Sequence, residues 1–243
     1  YGSAVTVNLT TGQATAIGGG LVSKVTGIEN IKGSAYADTL TGDALDNVIT
    51  GNAGSDLLTG GAGNDTYVFA DGFGSDTVVE AALAGTDTLD FTAVTADLTF
   101  NFSGSGLSGG YGSNSVSASG LNLEKLFGGS GNDRFNFAAG GSFNGILNGG
   151  TGIDTLDYHL YDNSVDVNLA NGTATATKGV SGFENIVGSA LADTLTGDDG
   201  NNVITGGAGN DTLTGLGGND LYLFADNYGV DTVVEAVSGG EDT

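Results

Sequence analysis

The chain has 243 residues, 46 of them Gly, with no Pro, Cys, Met or Trp. Its 29 acids against 5 bases leave a net charge of −24, which argues against nucleic acid as a partner because phosphate binding needs clusters of Lys and Arg. The absence of Cys excludes a disulfide framework and a thiolate metal site, and fits export to an oxidising space. A disordered acidic chain is the plain alternative, but 39% of the residues are apolar and the Val, Ile, Leu and Phe among them fall in register. No apolar run approaches the roughly 18 residues of a membrane span, and no signal peptide is visible. The chain begins at Tyr1 rather than Met, so a longer native N-terminus is expected.

Residues 1–32 read as strands. Ala4 to Leu9 alternates, Thr11-Gly12 turns, and Ala14 to Ile17 returns. Gly27-Ile28-Glu29-Asn30-Ile31 then leads into a strict nine-residue repeat: GSAYADTLT, GDALDNVIT, GNAGSDLLT, GGAGNDTYV. Blocks open at Gly33, Gly42, Gly51 and Gly60. The sixth place holds Asp38, Asn47, Asp56 and Asp65, and the eighth holds Leu40, Ile49, Leu58 and Tyr67. The form G-G-x-G-x-D-x-U-x, with U apolar, is the mark of a parallel β-roll that binds Ca²⁺. Six Gly-rich residues make a tight turn, since Gly tolerates positive φ. The three residues x-U-x make a short strand whose middle side chain points inward.

Two blocks make one coil, so Asp38 is expected over Asp56 and Asn47 over Asp65, about 4.8 Å apart. Two bare carboxylates at that spacing repel by roughly 3–4 kcal/mol at an effective dielectric near 20. A cation between them reverses the sign. Carboxylate and carbonyl oxygens are hard donors, of which Ca²⁺ takes six to eight. Zinc or copper would want His or Cys, and the chain has one His.

Beyond Val68 the pattern persists as Gly74, Asp76 and Val78, and again at Thr86-Asp87-Thr88-Leu89. Residues 92–127 are looser: Leu98 to Phe102 reads as a strand, and the Ser- and Gly-rich Gly104 to Gly120 as a loop or a thinly packed coil. The repeat returns at Gly128 with Asp133 and at Gly149 with Asp154. A weak copy between them starts at Gly140, with Gly145 where Asp is due. From Tyr161 the opening is replayed, and 182–197 differs from 27–42 only at Phe183, Val187 and Leu191. Blocks restart at Gly188, Gly197, Gly206 and Gly215, with Asp193, Asn202, Asp211 and Asp220 sixth, and Asp231 matches Asp76. The chain thus divides into three units: 1–91, strands plus a roll at 33–79; 92–160, a degenerate unit with calcium turns at 128–136 and 149–157; and 161–243, strands plus a roll at 188–234. Asp242-Thr243 stops in the phase that Tyr1 resumes, which fits either a window of a longer tandem array or a subunit continuing end to end into its neighbour.

GGAGNDTYV, GGSGNDRFN, GGTGIDTLD and GGAGNDTLT match the full motif. They resemble the RTX family, the haemolysin-type calcium-binding repeats of bacterial secreted proteins. The resemblance covers the rolls closely and the intervening strands loosely. It implies that Ca²⁺ is held by the sixth-place Asp and by turn carbonyls. The carbonyls would be those of Gly61 and Gly63, Gly129 and Gly131, Gly150 and Gly152, Gly207 and Gly209, together with Gly74 and Gly218. It also implies type I secretion in an unfolded state and folding outside the cell. Asn47 and Asn202 depart from the pattern, which weakens or empties their sites. Tyr36, Leu45, Leu191 and Leu216 replace motif glycines, and the first block of each roll, at Gly33 and Gly188, reads as an entry cap.

Each signal also has a bland reading. A single Gly-Asn-Asp is a turn, but acids aligned two blocks apart, coil after coil, are not required by turns. The Thr rows (Thr41, Thr50, Thr59; Thr196, Thr205, Thr214) suit a β surface better than an ice-binding face. His159 lacks a nucleophile partner and reads as a strand surface residue. Asp43 with Asp46, and Asp198 with Asp199, read as extra ligands or solvated turns rather than catalytic pairs. The expectation is an all-β parallel β-roll or solenoid, not an enzyme, that takes several Ca²⁺ ions. It would be secreted, without a membrane span, and would act as a filament, surface-layer or adhesin-stalk module. Its expected partners are its own copies end to end, and polysaccharide or a cell surface. The rivals are the calcium-binding accessory part of a secreted protease, lipase or epimerase, and a polysaccharide- or ice-binding module.

Overall fold

The computed structural model describes residues 2–16, 23–80, 85–119, 122–224, 228–235 and 240–243. Tyr1, Ile17 and Gly120, which belonged to predicted segments, lie outside them, as does Gly18 to Val22 of the loop before Gly27. Every regular element among the described residues is a strand. β1 (Val5–Asn8) and β2 (Gln13–Ala16) form the expected antiparallel hairpin, closed at Gly12, and β3 (Ser23–Lys24) extends it. β4 (Asn30–Lys32), β5 (Thr39–Thr41), β6 (Val48–Thr50) and β7 (Leu57–Thr59) are each as long as one x-U-x block. β8 (Thr66–Ala70), β9 (Ser75–Val79) and β10 (Thr88–Ala93) are longer.

These strands coil into two parallel faces. On one, β1, β5, β7 and β9 stack with Val7 opposite Leu40, Leu40 opposite Leu58 and Leu58 opposite Val78. On the other, Ile31, Ile49, Tyr67 and Leu89 run down β4, β6, β8 and β10. Leu40, Ile49, Leu58 and Tyr67 are fully buried, so each block delivers one apolar side chain to a thin core. One coil takes 18 residues where Asp38 lies against Asp56. It widens to 20 between Asp56 and Asp76 and to 22 between Asp65 and Asp87.

The middle of the chain is not a loop or a thin coil. β11 (Thr99–Ser103), β12 (Gly106–Tyr111) and β13 (Asn114–Ser119) form an antiparallel meander. Leu107, Val116 and Ala118 line its inner face and are buried. Gly109 is there because a Cβ would run into the Phe100 ring. β13 pairs parallel with β9. After β14 (Lys125–Phe127), β15 (Arg134–Ala138) pairs parallel with β11. The meander thereby joins both halves of the chain into one 14-stranded sheet.

Coiling resumes through β16 (Ile146–Asn148) and β17 (Thr155–Leu160). β18 (Asp166–Asn168) and β19 (Thr173–Ala174) replay the opening hairpin, with Val167 set against Leu195 as Val7 is against Leu40. β20 (Gly179–Ser181), β21 (Asn185–Val187), β22 (Thr194–Thr196), β23 (Val203–Thr205), β24 (Thr212–Thr214), β25 (Leu221–Leu223) and β26 (Thr232–Val234) complete the second roll. A seven-stranded sheet from β4 to β20 and a five-stranded one from β19 to β26 complete the structure.

The core changes character along the stack. In the rolls it is one mainly aliphatic column per face. In the middle it is aromatic: Phe69 stacks on Phe91 at 4.4 Å, Phe91 meets Phe100 edge-on at 5.1 Å, and Phe100 tilts against Phe135 at 4.7 Å. Phe102 stacks on Phe137, and Phe137 on Tyr158. Such rings bury far more surface per residue than the leucines of the rolls. Phe100→Ala is expected to cost about 3–5 kcal/mol by urea denaturation in saturating Ca²⁺. A loss below about 1 kcal/mol would show that the aromatic column does not hold the middle together.

Candidate metal centre

Each site begins with the turn. Gly61 (φ 118°) and Gly63 (φ 104°) occupy backbone that residues with a Cβ rarely adopt. A Cβ at either would also strike the Asp43 or Leu45 carbonyl one coil away. The first-place glycine has a different reason. A Cβ at Gly51, Gly60, Gly206 or Gly215 would collide with the Oδ2 of that block's own sixth-place Asp. The first Gly is therefore small so that a carboxylate can fold back over it.

That carboxylate has two oxygens with separate work. Oδ1 accepts the N–H of the sixth-place residue one coil earlier. Asp56 takes the N–H of Asp38 at 2.7 Å, Asp76 that of Asp56 at 3.0 Å, Asp65 that of Asn47 at 2.7 Å and Asp87 that of Asp65 at 2.8 Å. Asp154 takes Asp133 at 2.7 Å, Asp211 takes Asp193 at 2.9 Å, Asp220 takes Asn202 at 2.8 Å and Asp231 takes Asp211 at 3.0 Å. These bonds make continuous ladders along the turn edges. Oδ2 of Asp56, Asp65, Asp76, Asp87, Asp154, Asp211, Asp220 and Asp231 is buried and accepts no hydrogen bond. A buried acceptor without a donor costs free energy, and these acceptors repeat in register.

The electrostatics agree. Burial pushes the Asp65 carboxyl up to about 6 and those of Asp76 and Asp154 up to about 7, and neighbouring acids add to the shift. Burial raises Asp56, Asp87, Asp133, Asp193, Asp211 and Asp220 as well, against the pull of the backbone N–H groups. The donor set is all oxygen. The only salt bridges among the described residues join Asp157 to Arg134 and His159, and none takes up a ladder aspartate. Unpartnered hard oxygens without basic neighbours fit Ca²⁺ and not a soft metal.

Three of the expected acids stand apart. Asp38 accepts the Ser34 N–H at Oδ2, and the Val5 N–H and the Ser34 hydroxyl at Oδ1. Asp193 repeats this with Ser189 and Val165. Asp133 is held by the Gly129 and Leu98 N–H groups. These three head their ladders, and backbone donors satisfy both of their oxygens. Asn47 and Asn202 point Oδ1 at the N–H of Asp43 and Asp198. Of the expected carbonyl donors, Gly74 bonds the Ser115 N–H and Gly129 the Thr151 N–H, each with a lone pair to spare. Gly150, Gly152, Gly207, Gly209 and Gly218 share the positive φ of Gly61 and Gly63, whereas Gly131 lies outside that set. His159 lies half-exposed on β17. Asp43 and Asp198 cap their own turns at Leu45 and Gly200.

Four groups escaped the nonapeptide pattern. Glu124 and Glu184 end ladders by accepting the N–H of Asp87 at 2.8 Å and of Asp154 at 2.7 Å. Glu124 stands to the buried Leu126, and Glu184 to the buried Ile186, as sixth place stands to eighth, so the signal was present in a different acid. Glu80 and Glu235 cluster with Asp65 and Asp220 and have no such spacing. The fifth place also has a structural role. Asp46, Asn64, Asn132, Asn210 and Asn219 bond backbone N–H groups of the neighbouring coil.

The family model of the RTX calcium-binding nonapeptide repeat, four copies long, matches residues 25–44, 32–67, 41–78, 125–143 and 187–222. These spans contain the first-roll ladders as far as Asp76, the turn at Asp133 and most of the second roll. No curated protein matches the chain.

An aspartate whose folded pKa lies above its ordinary 3.8 binds its proton more tightly when folded. The contribution of such aspartates to metal-free stability is therefore full below about pH 4 and is lost as the pH rises through about 6 to 7. In chelator, the thermal midpoint should fall steadily from about pH 4 to pH 8, and Ca²⁺ at about pH 7.5 should restore it. A flat or rising midpoint in chelator over that window would contradict the ladder electrostatics.

Proposed function

We propose, from the premise that this is a calcium-binding repeat protein carrying RTX nonapeptides, that it serves as an extracellular structural module whose order depends on Ca²⁺. The observation that carries the reading is the row of buried Oδ2 atoms without donors along both rolls. Bound Ca²⁺ supplies positive charge to those oxygens. The chain supplies the rest. Oδ1 ladders set the spacing, first-place glycines make room for the carboxylates, and one buried apolar residue per block closes the core. A chain of net charge −24 with 46 glycines resists compaction through self-repulsion and backbone entropy. Ligand bound only to the folded state overcomes both. Such coupling suits a protein exported unfolded to a calcium-rich exterior.

The role is mechanical rather than catalytic, as a segment of a filament, surface layer or adhesin stalk that associates end to end with its own copies. No helix among the described residues is long and apolar enough to cross a membrane. One observation favours a glycan-binding role beside the structural one. An open groove of about 480 Å³ on the meander is lined by Asp97, Thr99, Asn101, Ser108, Tyr111, Asn114 and Ser115, a hydroxyl- and amide-rich surface with one aromatic ring.

Titration with Ca²⁺ from a chelated state should raise the far-ultraviolet β signal cooperatively, with a midpoint at about 10⁻⁴–10⁻³ M. Equal β content in chelator and in millimolar Ca²⁺ would overturn the proposal.

A further inference from the structure

Each roll ends in a constellation outside the nonapeptide pattern. Asp65, Glu80 and Asp87, all buried, bring one carboxylate oxygen each within 4.8 Å of one another. Asp220, Glu235 and Asp242 do the same at the end of the second roll. The two trios are spaced identically along the chain. In both, the tyrosine two places after the first Asp completes the set: Tyr67 donates its hydroxyl to Glu80 Oε1, and Tyr222 donates to Glu235 Oε1.

The three acids do not merely crowd a surface. Asp65 is fully buried and Asp87 is 1% exposed. Their Oδ1 atoms are taken up by the ladder, and their Oδ2 atoms are buried with no donor. Asp65 Oδ2 points at the same spot as Glu80 Oε1, because a Cβ on Gly60 would collide with both. At Gly215 the same construction brings a Cβ against Asp220 Oδ2 and, at 2.6 Å, the Tyr222 hydroxyl. Neither Asp65 nor Asp87 has a basic partner among the described residues. The coil takes 22 residues here in both rolls, against 18 one coil earlier.

We propose that Glu80 and Glu235 are metal ligands and that each roll is closed by a tricarboxylate site for one divalent hard cation, Ca²⁺ by its chemistry. The tyrosine hydroxyl orients the glutamate. The proposal rests on the calcium reading above and deepens it. A site with three carboxylates carries more charge than a turn site with sixth-place aspartates alone, and ligand charge is a main lever on Ca²⁺ affinity. These two sites therefore fill first, before the turn sites along the roll.

Isothermal titration with Ca²⁺ tests this. Wild-type protein should show a tight class of two ions ahead of the weaker ones. Glu80→Gln with Glu235→Gln should remove that class or weaken it at least tenfold, leaving the weaker ions. Because Gln could impair folding, a second measurement uses Tb³⁺ excited through tyrosine, the chain having no Trp. Tyr67→Phe with Tyr222→Phe keeps every carboxylate and should cut the sensitised emission of the first ions bound several-fold. If wild-type protein binds no Ca²⁺, the calcium reading itself fails. If it binds Ca²⁺ but the tight class survives both glutamine changes, or the first ions bound emit as before in the phenylalanine variant, the tricarboxylate site is wrong while the calcium reading stands.

Discussion

Every coil of the two rolls must bury a carboxylate next to another of the same sign. At one strand spacing that repulsion amounts to roughly 3–4 kcal/mol per pair at an effective dielectric near 20, and the coils are too small to offset it many times over. The chain handles it by dividing each carboxylate. Oδ1 is bonded to the backbone of the coil before it, which fixes the side chain and the rise. Oδ2 is left facing inward over a glycine, with no donor of its own. The fold is thus built with an electrostatic deficit in register, and a hard cation is the species that removes it.

The deficit is absent at the heads of three ladders. The ladder heads Asp38, Asp133 and Asp193 are satisfied on both oxygens by backbone N–H groups, with Ser34 and Ser189 hydroxyls added at two of them. Serine holds second place in the blocks that open at Gly33 and Gly188. It supplies the hydroxyl donor that the glycine of a regular block lacks. Between the rolls the chain turns to ordinary cohesion. The Phe69–Phe91–Phe100–Phe135 column and the Phe102–Phe137–Tyr158 column fill the stack across the meander. The molecule therefore has two kinds of stability, one set by the ion supply and one by apolar burial.

This division bears on how the protein would respond to its surroundings. Removal of Ca²⁺ acts on the rolls through charge, whereas the aromatic middle contains fewer aligned carboxylates. Under the proposed role, an extracellular stalk made this way would be soft in a calcium-poor compartment and stiff outside, with no change in covalent structure. The tyrosine–glutamate pairs sit where the coil widens from 18 to 22 residues.

The sequence by itself determined the roll. Gly at the first place, Asp at the sixth and an apolar residue at the eighth are local demands of turn conformation, charge and strand alternation, and they recur too regularly to mean anything else. It also carried the opening hairpins and the donor chemistry, because hard oxygens in number with almost no His and no Cys leave few metals to choose from. The tertiary structure decided the remainder. Gly104 to Gly120 reads as loop because Ser and Gly carry weak β preference, yet Leu107, Val116 and Ala118 are buried on a sheet whose Gly109 makes room for Phe100. Glu80 gave no signal either, since it lies off the nine-residue phase of Asp65 and meets Asp65 and Asp87 only once the coil has closed. Periodic contacts can be read from spacing; a contact made once per roll depends on where the backbone returns.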